Sequence, residues 1–166
     1  MFNRATLAGF ALLALFCLAG CGSSHHTAYI TTPLNNGIAA FRIDDHSGKL
    51  TQIPGSPYPG GLSPNVVVVH PSGKFVYGSN RGHDSIAVFS VDPAKGSVTR
   101  IDNTSTQGRT PRNFTIDPSG KYLLAANQDT GNVVVFRIDP ASGKLSPSGT
   151  EIKVPFAVCI MFLGKR

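Results

Sequence analysis

The sequence predicts an all-β fold of about three β-propeller blades, each of four antiparallel strands, with the N- and C-terminal segments sharing one blade. Three observations predict it. Phe41-Arg42-Ile43-Asp44-Asp45-His46-Ser47-Gly48-Lys49-Leu50 returns from Phe89 to Val98 and again from Phe136 to Leu145, at spacings of 48 and 47 residues. A second motif, His70-Pro71-Ser72-Gly73-Lys74-Phe75, returns 47 residues later as Asp117-Pro118-Ser119-Gly120-Lys121-Tyr122. Two independent motifs on one period mark tandem supersecondary units, and a four-stranded unit of about 40–50 residues is a propeller blade. Finally, 18 Gly and 12 Pro with no long amphipathic helical stretch point to strands and turns.

The elements follow in order. In the full repeat an innermost strand runs from Val66 to Val69, matched by Asn113 to Ile116. A Pro-Ser-Gly turn follows, whose glycine is free to take positive φ. The second strand is Phe75 to Ser79, or Tyr122 to Ala126. A polar loop, Asn80 to Asp84 or Asn127 to Gly131, leads to the third strand, Ser85 to Val91 or Asn132 to Ile138. Apolar residues occupy both alternating sets of this third strand, so both of its faces are expected to be covered. An Asp-Pro-x-x-Gly turn leads to the outermost strand, Ser97 to Ile101 or Lys144 to Ser148. In the first unit the matching strands are Ala28 to Thr31, Ile38 to Ile43 and Leu50 to Ile53, with no innermost strand before them. Val154 to Leu163 reads as an innermost strand with nothing after it, Pro155 standing in the place of Pro64 and Pro111. That segment is expected to complete the first blade and hide its edge. Pro57 to Gly61 reads as loop.

Ahead of the repeats, Met1-Phe2-Asn3-Arg4 is a short cationic start. The apolar run Ala5 to Leu18 is shorter than the roughly 20 residues that span a bilayer. It ends in Leu18-Ala19-Gly20-Cys21, which resembles a lipobox. The resemblance implies a signal peptide over 1–20, lipid on the Cys21 thiol, a tether over 21–27 and a partial propeller over 28–163. It also implies a bacterial envelope location, periplasmic or surface-facing, with the lipid membrane as a partner; two acyl chains anchor stably where one binds marginally. Cys17 leaves with the signal, so no internal disulfide forms, and Cys159, in the apolar run 157–162, is expected to be a buried, inert thiol.

The formal charge of +6 falls by one with Arg4, and the remaining excess is scattered. It does not argue for nucleic acid. There is no metal-ligand spacing, phosphate-cradling glycine loop or serine-centred nucleophile motif, so no metal or cofactor is expected.

Ser79-Asn80-Arg81-Gly82-His83-Asp84-Ser85-Ile86-Ala87-Val88-Phe89, Thr110-Pro111-Arg112-Asn113-Phe114 and Asp117 to Gln128 resemble the lactonase family of seven-bladed propellers, which includes the propeller-type 6-phosphogluconolactonase and the fungal 3-carboxymuconate cyclase. The resemblance covers nearly all of 28–163. It implies a lactone hydrolase, a carboxylic ester hydrolase, acting on an acidic sugar lactone. Three units stand where the family has seven. The shortfall leaves two arrangements, an open arc or a homodimer whose two halves make six blades.

In a propeller, the loops between second and third strands share a rim with the connections entering each innermost strand. Arg81, His83 and Asp84 lie on such a loop, and Arg109 and Arg112 on such a connection. Arginine suits a carboxylate or phosphate, and a histidine titrating near neutrality suits a general base. Arg81, His83 and Arg112 are therefore the candidate catalytic residues. Asn80, Asp84, Arg109 and Gln128 are candidates for substrate binding, with Asp84 orienting His83 and Asn127 also available for hydroxyls. The competing interpretation is that these polar residues satisfy turn backbone, in a non-catalytic, lipid-anchored interaction module or a degenerate remnant of a longer lactonase. Lys74, Lys121 and the Pro-Ser-Gly turns fall on the other rim as structural residues, and His46 and His70 are turn residues with no partner in view.

Overall fold

The structure, a computed structural model, describes residues 26–163. The expected signal peptide 1–20 and Cys21 lie outside the described residues. His26 and Thr27, expected to lie in the tether, belong to the first strand.

Three four-stranded antiparallel sheets stand side by side. The first holds β1 (His26–Thr32), β2 (Gly37–Ile43), β3 (Leu50–Gln52) and the two-residue β4 (Tyr58–Pro59). The second holds β5 (Pro64–Val69), β6 (Phe75–Asn80), β7 (Ser85–Val91) and β8 (Val98–Ser105), in that spatial order. The third repeats it with β9 (Pro111–Ile116), β10 (Tyr122–Asn127), β11 (Asn132–Ile138) and β12 (Leu145–Lys153). The outermost strands β8 and β12 run further than expected, because each continues to pair past a register shift opposite Val88/Phe89 or Val134/Phe136. Their added residues are, apart from the exposed Ile152, polar or glycine and largely exposed, which hides the strand period from a hydrophobicity reading. Tyr58–Pro59, expected as loop, extends the outermost position of the first blade by pairing with Ile38 and Gly37.

The second blade buries both faces of its middle strands. Val76, Ala87, Phe89 and Val98 of the second blade pack with Ile38 of the first. Phe75, Tyr77, Ile86 and Val88, on the opposite face, pack with Phe114, Ile116, Leu123, Ala125, Val134 and Phe136 of the third. Burying one such side chain is worth roughly 1.5–3 kcal/mol. Repeating polar struts tie the same interfaces. Tyr29 Oη donates to Gly96 O at 2.9 Å, and Tyr77 Oη, one repeat later, donates to Gly143 O at 2.7 Å. Burial, with Tyr58 nearby, pushes the Tyr29 hydroxyl up to about 12, and burial raises Tyr77 further. Gly143 holds φ +71°, and a Cβ there would lie 2.5 Å from Phe75 Cδ1.

His70, expected to be without a partner, bridges two blades. The Ser72 amide donates to its Nδ1 at 3.1 Å, which leaves the proton on Nε2, 2.8 Å from Gly120 O. Cys159, expected to be buried, is exposed.

The C-terminal expectation also changes. Residues 154–163 form no strand and do not pair with β1. They lie against their own third blade, where Ala157 packs with Ala126 and Val133 and the Ile160 amide donates to Asn113 Oδ1 at 3.0 Å. At the adjoining repeat position, Asn65 Nδ2 donates to Arg112 O at 2.7 Å, also across 47 residues. Ile160 therefore occupies the next innermost-strand position after Asn113. This places Val158, not Pro155, one repeat beyond Pro111.

Candidate functional site

The loop after β6 and the connection after β8 meet on one rim. Arg81 N donates to Ser63 O and Gly82 N to Leu62 O, both at 3.1 Å. One repeat on, Gln128 N donates to Thr110 O at 3.0 Å and Asp129 N to Arg109 O at 3.3 Å. Thr110 Oγ1 also donates to Asp129 Oδ2 at 2.5 Å, and Arg109 N to Thr130 Oγ1 at 3.1 Å. Backbone hydrogen bonds thus fix these loops while the side chains of Arg81, His83, Arg109 and Arg112 stay exposed.

Asp84 joins the two halves of this surface. At φ +47° its backbone carbonyl accepts from Thr106 N at 2.9 Å and from Thr106 Oγ1 at 3.0 Å. Its Oδ1 accepts from Thr110 N at 2.7 Å. That contact brings the loop carrying Arg81 and His83 against the strand start carrying Arg112. It also occupies the carboxylate expected to orient His83. The His83 backbone amide donates to Asn80 O at 3.3 Å, and its imidazole has no hydrogen bond among the described residues. Asp84 is a positioning residue in this geometry.

Asn80 and Asn127 are fully buried. A Cβ on Gly61 would sit 2.5 Å from Asn80 Nδ2, and Asn127 packs against Gly108 in the same way. Asn127 Nδ2 donates to Thr106 O at 3.1 Å. These amides are packed inside the rim, where Asn80 Nδ2 and Oδ1 and Asn127 Oδ1 have no hydrogen-bond partner among the described residues. The sequence held a signal for this: Asn80 and Asn127 share the repeat period with Gly61 and Gly108. Gln128 is half-buried, with its Oε1 inside the fold.

A cavity of about 380 Å³ opens on the other rim, between the first two blades. Its lining includes Arg42 and Lys95, and Arg42 Nη2 reaches Ala94 O at 3.3 Å. It was not anticipated.

Radial four-stranded sheets with a polar rim around the innermost-strand starts define a β-propeller-type protein. Residues 21–162 match the family described as lactonase, 7-bladed beta-propeller. The chain belongs to that family. It is 38% identical over 141 residues to the 6-phosphogluconolactonase of Bacillus subtilis, an alignment covering 82% of this chain and 40% of the relative. A crystal structure of a Lactobacillus plantarum protein superposes with a TM-score of 0.74 at 34% identity, covering 83% of this chain and 42% of that one. The periplasmic gluconolactonase PpgL of Pseudomonas aeruginosa superposes with a TM-score of 0.68 at 26% identity, covering 81% and 41%. The chain thus spans about two-fifths of the length of these relatives.

Proposed function

We propose that this chain is an envelope-anchored lactonase-like propeller that hydrolyses an acidic sugar lactone at the Arg81–His83–Arg112 rim. The observation that carries this reading is the Asp84–Thr110 bond, which joins the two loops bearing those side chains. Arg81 and Arg112 supply a bidentate-capable positive surface for the substrate's carboxylate or phosphate. Unpaired in the fold, His83 is free to take a proton from a water attacking the lactone carbonyl. The ring C–O bond then breaks, and the ring oxygen leaves as a hydroxyl after taking back that proton, giving the open hydroxy acid. Relatives named 6-phosphogluconolactonase and gluconolactonase support the reaction class. Arg109 lies on the same connection and adds to the positive field.

Hydrolysis of 6-phosphogluconolactone and of unphosphorylated gluconolactone by the purified full-length chain tests the reading. Activity above background that falls at least tenfold in His83→Ala supports it. Equal background rates in both proteins would remove it.

A second reading, a non-catalytic binding module or remnant, is favoured by the engagement of Asp84 with Thr110 instead of His83. Export rests on Met1 to Cys21. Metabolic labelling with palmitate is expected to mark the wild-type chain and not Cys21→Ser; equal labelling of both would refute lipidation at Cys21.

A further inference from the structure

The two open ends of the arc carry the two halves of an interface that the molecule already makes twice internally. On the first blade, Ala28, Ala39, Phe41 and Ile43 share one face, with Ala28 opposite Phe41 in the β1–β2 register. These positions repeat as Val76, Ala87, Phe89 and Val91, the face the second blade turns toward the first. On the third blade, Leu124, Val133 and Val135 form the outward face, with Leu124 opposite Val135, and no further blade covers it beyond the C-terminal Ala157 and Ile160 among the described residues. They repeat Tyr77, Ile86 and Val88, the face the second blade turns toward the third. By the logic of the repeat, the open face of the third blade fits the open face of the first.

The strands are complementary as well. Among the described residues, β1 pairs with β2 on one side and with no strand on the other, so the first blade lacks an innermost strand. Residues 160–163 sit one repeat beyond Asn113–Ile116 and belong to no strand among the described residues. Met161 and Leu163 are 84% and 98% exposed, whereas Phe114 and Ile116 at the same repeat positions are 1% and 8% exposed. Phe114 and Ile116 are packed among Tyr77, Ile86 and Val88 of the second blade and Leu123 and Ala125 of β10, and Met161 and Leu163 lie in no such cluster.

We propose that two copies of this chain exchange their C-terminal segments, each donating residues 160–163 as the missing innermost strand on the free edge of β1 in the other. The β9–β10 register, Asn113 opposite Ala126 and Ile116 opposite Leu123, carries over as Ile160 opposite Thr31 and Leu163 opposite Ala28. A twofold axis makes two such junctions at once and closes a ring of six blades, within the usual range of four to eight. Closure buries both apolar faces and removes both strand edges. It also gives the Arg81–His83–Arg112 rim an opposite wall, supplied by the same rim of the second copy.

Paired cysteines test the exchange in the full-length chain. Thr31→Cys and Ile160→Cys are combined in a Cys159→Ser background, oxidised and resolved by denaturing, non-reducing electrophoresis. Opposed residues on antiparallel strands lie within disulfide reach. The expected product is a covalent dimer that returns to monomer on reduction. Adding Met161→Asp and Leu163→Asp is expected to abolish it while circular dichroism stays that of a β-sheet protein, since both side chains are exposed in the single chain. A band confined to monomer mass overturns the proposal, as does a ladder above dimer, and so does a dimer indifferent to the two aspartates.

Discussion

The Tyr77 hydroxyl is buried and donates to Gly143 O at 2.7 Å, so its loss leaves a buried carbonyl unpaired between two blades. Tyr77→Phe is expected to cost about 1–3 kcal/mol, read as a lowered thermal midpoint. Gly143→Ala meets two obstacles at one position, positive φ and the Phe75 ring, and is expected to destabilise by at least about 1 kcal/mol. Asp84 and His83 separate cleanly at this scale. Asp84→Ala removes the acceptor for Thr110 N and is expected to lower stability by about 1.5–3 kcal/mol. His83→Ala removes an exposed side chain and is expected to leave the melt within about 0.5 kcal/mol of wild type. Parallel melts decide it: a large loss in the histidine variant would make that imidazole a structural group. The sequence placed Asp84 beside His83 but could not show which group its carboxylate meets, because Thr110 is 26 residues away and arrives only on folding.

At the scale of elements, each turn between third and outermost strands is built on one aspartate. Asp92 Oδ1 accepts from the amides of Ala94 and Lys95, and Asp139 Oδ1 from those of Ala141 and Ser142. The Lys95 amide leads in holding the Asp92 carboxyl below its ordinary value, and the Ser142 amide does the same for Asp139. In the Pro-Ser-Gly turn, partial burial would raise Asp117, but the Ser119 hydroxyl and the amides of Tyr122, Ser119 and Lys121 outweigh it and lower the carboxyl. A carboxyl with a depressed folded pKa binds protons more readily in the unfolded chain. Its stabilisation is therefore complete above the ordinary aspartate value of 3.8 and is lost as pH falls through the folded value. Denaturant midpoints are expected to hold from pH 7 down to about 5 and to drop below about 4; an unchanged midpoint at pH 3 would contradict this. These turns were legible in the sequence because every bond in them is local. The outer ends of β8 and β12 were not, since polar residues there are held by ladder bonds to the adjacent strand and not by an apolar stripe.

For the whole molecule, the stacking of blades gives stability a near-neighbour character, each blade resting on the next through two apolar faces. The second blade, covered on both sides, is expected to be the most protected. At concentrations where the single chain dominates, amide hydrogen exchange should be slowest in β6 and β7 and faster in β1, whose outward face lacks that cover; equal protection in β1 under dimer-forming conditions is the expected sign of closure. Activity belongs to this scale too, because a rim site needs walls on more than one side. A lactonase rate that rises more steeply than protein concentration, then becomes proportional once the dimer dominates, is the expected signature of a pocket completed by a second copy.

The repeat period, the four-strand unit, the family and the two-faced burial of the third strands were all determined by the sequence, because tandem repetition writes the same local chemistry again and again along the chain. Tertiary structure alone decided where the terminal segment lies, which carboxylate partners which amide, and that Asn80 and Asn127 face inward while Cys159 faces out. The physical reason is sequence distance. Those outcomes depend on contacts between groups tens of residues apart, and such contacts leave no periodic trace until the blades pack.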